Sequence, residues 1–271
     1  MTASVRFEGV HFTYPSGVEA LRGVSFGVEP GERVAIVGQN GAGKTTLVRH
    51  LNGIFQPGAG TVHVGDEPTT GRSIAELARR VGYVFQNPDE QIFASTVRGD
   101  VEFGPRNLGH APDEIAQRAM AALEMVGLAG QADSHPLHLS LSERKRVALA
   151  GVLAMGTEIV VLDEPTTGQD ARGVDLIAGI VESLAAQGRT LIAISHDMDF
   201  CAEHFDRVVV MAQGQVLADG DPRVVFGRTS ALELAAVEAP QLFRLATHLG
   251  WRQRPLRPSE FVDAFEVERK A

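Results

Sequence analysis

Apolar runs separated by turns organise the first part of the chain. Two strand-like runs, residues 5–14 and 24–30, flank the turn-rich stretch 15–20, which predicts antiparallel strands. The next apolar run, Arg33–Val37, leads into a glycine-rich turn and then into a helical pattern that ends at Gly53. A strand, a glycine turn and a helix in this order predict the start of a parallel βα unit.

Further apolar runs predict the other strands of a parallel sheet. They cover residues 81–85, 158–163, 190–195 and 206–211, and helical patterns such as residues 171–188 lie between them. Between the strands 81–85 and 158–163 the patterns are helical instead, for example at 112–127 and 142–155. We therefore expect an α/β domain of residues 1–227. It has a mostly parallel sheet, an N-terminal antiparallel β subdomain and an inserted α-helical subdomain at about residues 87–155.

Residues 228–271 are expected to form a C-terminal extension. Leu242, Leu245, Ala246 and Leu249 recur at the spacing of one helix face. Packing within the chain explains such a face, and so does contact with a second subunit.

Composition narrows the classes of protein that fit this pattern. With 44% hydrophobic residues among 271, the chain has ample material for a core. Its 34 Asp and Glu outnumber its 25 Lys and Arg, and the net charge of −9 disfavours nucleic acid as a partner. The single Cys201 allows no internal disulfide, which suits a reducing compartment. Because we find no signal peptide and no apolar run of roughly 18 residues, we expect the chain itself to be soluble.

One basic cluster interrupts this acidic background. Arg144, Lys145 and Arg146 are consecutive in a predicted helix, where successive residues are about 100° apart, so they cannot all face one partner. We predict a solvated helix face rather than a nucleic-acid patch. Just before them, Ser140 and Glu143 match the S-x-x-E capping box that starts a helix.

The strongest chemical signal is GQNGAGKT, which begins at Gly38 and matches G-x-x-x-x-G-K-[ST] between the predicted strand and helix. Gly38, Gly41 and Gly43 permit the positive φ angles with which a backbone closes round phosphate oxygens. Lys44 is expected to reach the β- and γ-phosphates of a nucleotide, and the Thr45 hydroxyl to contact Mg²⁺. A glycine turn that serves packing alone is the structural alternative.

A second apolar strand ends in two acids, Asp163 and Glu164. Asp163 is expected to hold Mg²⁺ through water, while Glu164 points the other way and accepts a proton from the attacking water. Two adjacent acids at a strand end are a weak signal, because loops often begin in this way. Together with the glycine-rich loop they indicate nucleotide hydrolysis.

His196 and Gln86 each follow a predicted strand in the same manner. The carboxyl ends of parallel strands meet at one edge of a sheet, so Gly38, Gln86, Asp163 and His196 are expected along one rim. A histidine at such a place often has a structural role. On this geometry, however, we predict contact between His196 and the γ-phosphate.

In this order the motifs resemble those of the ATPase subunit of an ATP-binding cassette (ABC) transporter, over nearly the whole chain. The matching positions are Tyr14 for the aromatic that stacks on adenine, Gly38, Gln39, Asn40, Gly41, Ala42, Gly43, Lys44, Thr45 and Thr46 for the Walker A loop, Gln86 for the Q-loop, Ser140 for the signature, Asp163 and Glu164 for Walker B, Asp170 for the D-loop and His196 for the switch histidine. The resemblance implies a P-loop NTPase fold with a RecA-like sheet, and ATP and Mg²⁺ as ligands. It implies catalytic roles for Glu164, His196 and Gln86, and a metal site of Thr45, Gln86 and Asp163. Packing within an edge strand is the alternative role for Tyr14.

Two further stretches, residues 84–93 and 100–109, are similar to ATPases of energy-coupling-factor importers, including the cobalt and nickel systems. In that family the region after the Q-loop meets coupling helices of a membrane subunit. Asp89 and Glu90 would offer acidic charge to arginines there, although solvated loop acids are an alternative.

The resemblance also implies partners and a location. The chain would be a peripheral subunit on the cytoplasmic face of the cell membrane. It would work with a transmembrane coupling subunit and a separate substrate-binding membrane subunit that selects a micronutrient. The position of the extension at 228–271 resembles that of the segment through which such ATPases help hold their dimer, so we interpret it as an interface.

The signature departs from the family pattern, which is usually Leu-Ser-Gly-Gly-Gln and faces the nucleotide of a second ATPase subunit. Here Leu141 and Ser142 replace both glycines, and their side chains should hold the backbone away from the opposing γ-phosphate. Glu143 places a carboxylate near that phosphate, unless the capping box turns it back. We therefore predict a heterodimer with one competent site rather than a homodimer, and poor ATPase activity from this chain alone.

Other functions with related motifs are less consistent with the chain. An ABC ATPase of DNA repair or translation usually carries two cassettes or a long coiled-coil insertion, and a basic surface groove would support that function. A small-molecule kinase would lack the signature helix and the histidine after Walker B. An ATPase of another ABC transporter class is the remaining alternative.

Overall fold

The computed structural model describes residues 4–268. The strands are β1 (Val5–Thr13), β2 (Glu19–Val28), β3 (Arg33–Val37), β4 (Ala59–Val64), β5 (Glu67–Pro68), β6 (Val81–Val84), β7 (Ile159–Asp163), β8 (Thr190–Ile194), β9 (Arg207–Ala212) and β10 (Gln215–Gly220). The helices are α1 (Lys44–Val48), α2 (Ile74–Leu77), α3 (Val97–Leu108), α4 (Pro112–Met125), α5 (Leu141–Met155), α6 (Ala171–Ala186), α7 (Met198–His204), α8 (Pro222–Phe226), α9 (Thr229–Ala235), α10 (Gln241–His248) and α11 (Pro258–Glu268). The α/β architecture predicted from the sequence is confirmed.

Two sheets divide these strands. A four-stranded antiparallel sheet has the order β2-β1-β4-β5, and a six-stranded sheet has the order β10-β9-β3-β8-β7-β6. Within the second sheet β9, β3, β8, β7 and β6 run parallel, and β10 pairs antiparallel at the edge. The sequence pattern does not predict β4, β5 or β10.

Strand alternation builds two cores, one on each face of the parallel sheet. Along β3, Val34 and Ile36 pack towards the antiparallel sheet, and Ala35 and Val37 pack towards the helices. The strands β7 and β8 alternate in the same way. Because both faces are covered, the central strands are apolar almost throughout, which is why they stand out in the sequence.

Two observed elements differ in extent from the predicted ones, and a third differs in the face that it buries. β2 begins at Glu19, so the predicted turn is shorter than expected. α1 ends at Val48, and turns follow as far as Gly53 in place of the predicted helix. Phe243 and Ala246 of α10 are buried, whereas Leu245 of α10 and Leu249, the residue that follows this helix, are exposed.

Candidate active site

The glycine-rich loop leaves β3 and enters α1. Gly38, Gly41 and Gly43 have φ angles of 149°, 81° and 97°, so the predicted positive φ is confirmed at all three. A Cβ atom on Gly38 would lie 2.1 Å from the carbonyl oxygen of Met211, and one on Gly43 would lie 2.5 Å from that of Ala20. Both positions therefore need glycine for packing as well as for the turn.

Lys44 begins α1 and its side chain folds back over the loop. Its Nζ donates to the carbonyl oxygens of Gly38 (2.6 Å) and Gln39 (3.0 Å). Burial lowers the pKa of this ammonium, and the carboxylates of Glu164 and Asp163 oppose that shift. The cation is thus held beside the two acids that follow the apolar part of β7.

A cavity of about 220 Å³ lies at the carboxyl ends of the central strands. Its lining comprises Asn40, Gly41, Ala42, Gly43, Lys44, Thr45, Thr46, Gln86, Glu164, Ile194 and His196. Of the four residues predicted along one rim, Gln86 and His196 line this cavity, whereas Gly38 and Asp163 do not. Glu164 and most of the glycine-rich loop face the same space. Gly38 and Gln39 lie just outside this lining and contact Lys44 through their carbonyl oxygens.

Asp163 is the last residue of β7 and is buried. Its Oδ1 accepts a hydrogen bond from the Thr45 hydroxyl (3.3 Å), and its Oδ2 accepts one from the Tyr83 hydroxyl (2.9 Å). Burial raises the pKa of this carboxyl, and the hydrogen bonds from Tyr83 and Thr45 oppose the shift. Thr45 and Asp163, which are predicted to share a metal ion, are thus adjacent.

Glu164 follows β7, and its φ of 54° turns the backbone out of the strand. Strand alternation requires extended backbone at both residues, so it does not set the direction of the Glu164 side chain, and the predicted direction away from Asp163 stays a prediction. Its carboxylate lies 3.2 Å (Oε1) from Nε2 of His196, and its Oε2 accepts from the Thr167 hydroxyl at 3.1 Å. The acid and the histidine are therefore close enough to act together.

Tyr14 follows β1 and joins a group of rings beside the loop. Its hydroxyl is 2.7 Å from the Thr46 hydroxyl, and its ring contacts those of Phe12 and Phe55 edge-on. The ring thus lies next to the glycine-rich loop, as adenine stacking requires, while it also packs within the antiparallel sheet. Its stacking role stays a prediction.

Ser140 and Asp170 do not line the cavity, and both cap helices. Ser140 caps α5, and the predicted capping box is formed: its hydroxyl accepts from the Glu143 amide, and Oε2 of Glu143 accepts from the Ser140 amide at 2.8 Å. The Glu143 carboxylate is therefore turned back on the backbone, which lowers its pKa. Asp170 caps α6 through the amide of Gly173 (2.8 Å). Their predicted contact with a partner's nucleotide remains a prediction.

The basic triplet is not a solvated helix face, so that prediction is wrong. Arg144 pairs with Asp89 (2.7 Å), and Arg146 donates to the carbonyl oxygen of Val126 (2.9 Å). Lys145 is only 9% exposed, and burial lowers the pKa of its ammonium. The three side chains do point to different places, as helix geometry predicts.

The two acids after the Q-loop have partners within the chain. Asp89 pairs with Arg144, and Glu90 lies 3.4 Å from Arg49, whose guanidinium also stacks over the ring of Phe85. Both carboxylates are still about half exposed, so the predicted contact with a membrane subunit and the alternative of solvated loop acids both stay open.

Sequence reasoning missed three polar side chains that support these acids. They are Tyr83 at Asp163, Thr167 at the carboxylate of Glu164, and Lys145 at the main chain of Glu164. A tyrosine within a buried strand is a usable signal, because its hydroxyl needs a partner. Nothing in the local pattern around Thr167 or Lys145 indicates these contacts.

Comparison with known proteins identifies the family. The family profile described as "ABC transporter" matches residues 21–167, which is more than half of the chain. The chain belongs to the ABC transporter family. It is an ATPase of that family, so the predicted resemblance and enzyme class are confirmed.

Relatives of this ABC transporter ATPase support the assignment. The chain is 43% identical over 247 residues to the Methanothermobacter thermautotrophicus protein named "Energy-coupling factor transporter ATP-binding protein EcfA", which covers 90% of this chain and 79% of that protein. It is 34% identical, with a TM-score of 0.76, to CbiO1 of Clostridium perfringens, described as part of the ABC transporter complex CbiONQ; the match covers 92% of this chain and all of that one. It is 27% identical, with a TM-score of 0.75, to an ATP-binding cassette solved as a dimer in a post-hydrolysis state with ADP and Pi, over 80% and 98% of the two chains.

Proposed function

We propose that this chain is an ATP-hydrolysing subunit of an energy-coupling-factor importer. The cargo we propose is a micronutrient, either a vitamin or a transition-metal ion such as cobalt or nickel. The observation that carries the proposal is the cavity where the Walker A loop, Gln86, Glu164 and His196 meet. The name of the Methanothermobacter relative supports the energy-coupling-factor class of transporter.

The residues present fit Mg²⁺ as a companion of the nucleotide. Thr45 Oγ1 and Asp163 Oδ1 lie 3.3 Å apart, and hydroxyl and carboxylate oxygens are donors that Mg²⁺ accepts. These two residues would hold the ion together with Gln86. When bound, Mg²⁺ would neutralise part of the negative charge of the phosphates.

Hydrolysis follows from the positions of the chain's own groups. The loop amides and Lys44 bind the phosphates, because the amides and the ammonium are donors to phosphate oxygens. Glu164 accepts the proton of the attacking water. His196, whose Nε2 lies 3.2 Å from the Glu164 carboxylate, orients that carboxylate and contacts the γ-phosphate. Tyr14 stacks on the adenine.

The domain division follows the same proposal. Residues 1–227 form the ATPase domain, and α3, α4 and α5 are the helices of the inserted subdomain at about 87–155. Residues 228–271 form the extension, of which residues 269–271 lie outside the part of the chain that the structure describes. Within residues 4–268 every helix is too short or too polar to cross a bilayer.

We propose that the membrane subunit docks beside the Q-loop, on the cytoplasmic face of the membrane. Phe93 and Phe103 support this site, since they are 65% and 45% exposed and their rings meet edge-on at 4.7 Å. An exposed aromatic pair suits a partner surface. Asp89 and Glu90 border the same site. To pair with arginines of the partner, they would have to release Arg144 and Arg49 of this chain.

A second ATPase subunit completes the active site in this proposal, and a heterodimer is favoured. The signature residue Ser140 and the D-loop residue Asp170 lie outside the chain's own cavity, which supports action at a partner's nucleotide. The extension has exposed apolar side chains that suit a subunit contact: Leu245 on α10, Leu249 just after it, and Val262 and Phe265 on α11. A separate membrane subunit would select the cargo.

Purification from native membrane in mild detergent tests the assembly. A second ABC ATPase and transmembrane subunits should accompany the chain, and recovery of the chain with no membrane protein would contradict the proposal. A cell that carries only Glu164→Gln should lose uptake of the cargo, tested with labelled cobalt, nickel and vitamins.

The same variant tests the chemistry. Glu164→Gln should retain ATP affinity and lose most turnover, because an amide fills the same space but does not accept the proton. It should also trap an ATP-bound dimer. Full hydrolysis by this variant in the assembly would remove Glu164 from its role.

A further inference from the structure

Every polar group of Glu164 has a partner, although its backbone adopts a conformation that few non-glycine residues take. Its φ is 54°, in the left-handed region. Its amide donates to the Ile194 carbonyl (2.9 Å), and its own carbonyl accepts from Nζ of Lys145 (3.0 Å). His196 and Thr167 contact the two carboxylate oxygens. Such a backbone persists only where its surroundings hold it.

Lys145 stands apart from its two basic neighbours. Arg144 and Arg146 bond to other parts of the chain, whereas the buried ammonium of Lys145 reaches the main chain of Glu164. Burying an ammonium is costly, so its site must compensate the charge. The carboxylates of Glu164 and Asp163 are close enough to stabilise that charge.

A second contact joins the same helix to the far end of the same loop. The Ser142 hydroxyl donates to Oε1 of Gln169 (2.6 Å), and Nε2 of Gln169 donates to the Ser142 carbonyl (3.3 Å). The loop that begins at Glu164 is thus bonded at both ends to the first two turns of α5, at Lys145 and Ser142. That part of α5 carries the signature.

We propose that Lys145 is a positioning residue for Glu164. Lys145 fixes the left-handed main chain of Glu164 and thereby directs the Glu164 carboxylate at the attacking water. Lys145 does not line the cavity proposed for the nucleotide, and its ammonium bonds to the main chain of Glu164, so it acts through Glu164. The inference rests on the proposed role of Glu164. A small displacement of a catalytic group lowers the reaction rate strongly and changes substrate binding little. We therefore expect the loss of Lys145 to lower kcat and to leave ATP binding nearly unchanged.

The test uses the full-length chain in the assembly purified from its native membrane. Lys145→Met keeps the length of the side chain but removes the donor and the charge. We expect kcat to fall about 10- to 100-fold while the KM and Kd for ATP change by less than about twofold. Lys145→Arg, which restores a cationic donor, should recover part of the turnover. Arg146→Met, one residue along the same helix, should keep kcat near that of the parent.

A double-mutant cycle separates positioning from a merely structural role. If Lys145 acts through Glu164, adding Lys145→Met to Glu164→Gln should cause no further loss of residual turnover. The same fold-loss in both backgrounds would overturn the inference, and so would an unchanged kcat for Lys145→Met. Loss of activity that only follows loss of folded protein, measured by thermal unfolding, would also overturn it. Full turnover by Glu164→Gln alone would instead overturn the proposed function.

Discussion

Rebuilding the usual signature should raise ATP turnover by the isolated chain while it lowers stability. The variant combines Leu141→Gly, Ser142→Gly and Glu143→Gln. Turnover should rise because the first turn of α5 loses the side chains of Leu141 and Ser142, which stand between its backbone and an opposing γ-phosphate. The two copies in a homodimer would then both be competent.

The stability cost follows from the contacts that disappear. The Ser142 hydroxyl, which donates to Gln169 at 2.6 Å, contributes about 1 kcal/mol. Two glycines in α5 cost together about 1 to 2 kcal/mol. Glu143→Gln keeps an acceptor for the Ser140 amide, so the capping box weakens without being lost. The sum, about 2 to 3 kcal/mol, corresponds to a fall in Tm of roughly 4 to 12 °C for a chain of this size.

Phosphate release and thermal unfolding of the purified chain measure both effects. Adding Glu164→Gln to the rebuilt signature is the control, because any gained turnover should then disappear. Equal, brisk hydrolysis by the parent and the rebuilt chain would refute the reasoning. A rebuilt chain that stays folded at the assay temperature yet gains no turnover would refute it as well.

Three further predictions concern single residues. Lys44→Ala should lower ATP affinity at least about tenfold, since the phosphates lose a cation, and equilibrium binding of a labelled nucleotide would show unchanged affinity if the Walker A assignment is wrong. Tyr83→Phe should cost about 1 to 3 kcal/mol of unfolding free energy in urea, because a buried oxygen of Asp163 loses its donor, and a change near zero would count against that hydrogen bond. Arg207→Met should cost about 2 kcal/mol in the same assay, because Asp219 loses two hydrogen bonds of 2.5 and 2.6 Å that join β9 to β10; stability equal to that of the parent would show that these bonds are replaced by water.

The strands that are covered on both faces of the sheet were predicted accurately. β3, β7 and β8 lie within one residue of their predicted bounds, because parallel strands covered on both faces read as continuous apolar runs. β5 has only two residues, and β10 lies at the sheet edge with one buried side chain, so neither produces such a run. Edge position is a property of the sheet and does not appear in local sequence.

The local sequence was sufficient to predict the conformation of the loop at Gly38–Thr45. Glycines at those spacings, a lysine and a threonine specify positive φ angles and phosphate-binding groups over eight consecutive residues, so local geometry suffices. The capping box at Ser140 and Glu143 is equally local, and it formed as predicted.

The partner of each remaining polar group depends on how the elements pack in three dimensions. Tyr83 meets Asp163 across 80 positions of sequence, and Lys145 meets Glu164 across 19. The first contact depends on β6 pairing with β7, and the second on α5 lying against the loop that follows β7. Local periodicity reports which face of an element is apolar. It does not report which element lies opposite a buried polar atom, because that is settled by the order of the strands and the packing of the helices.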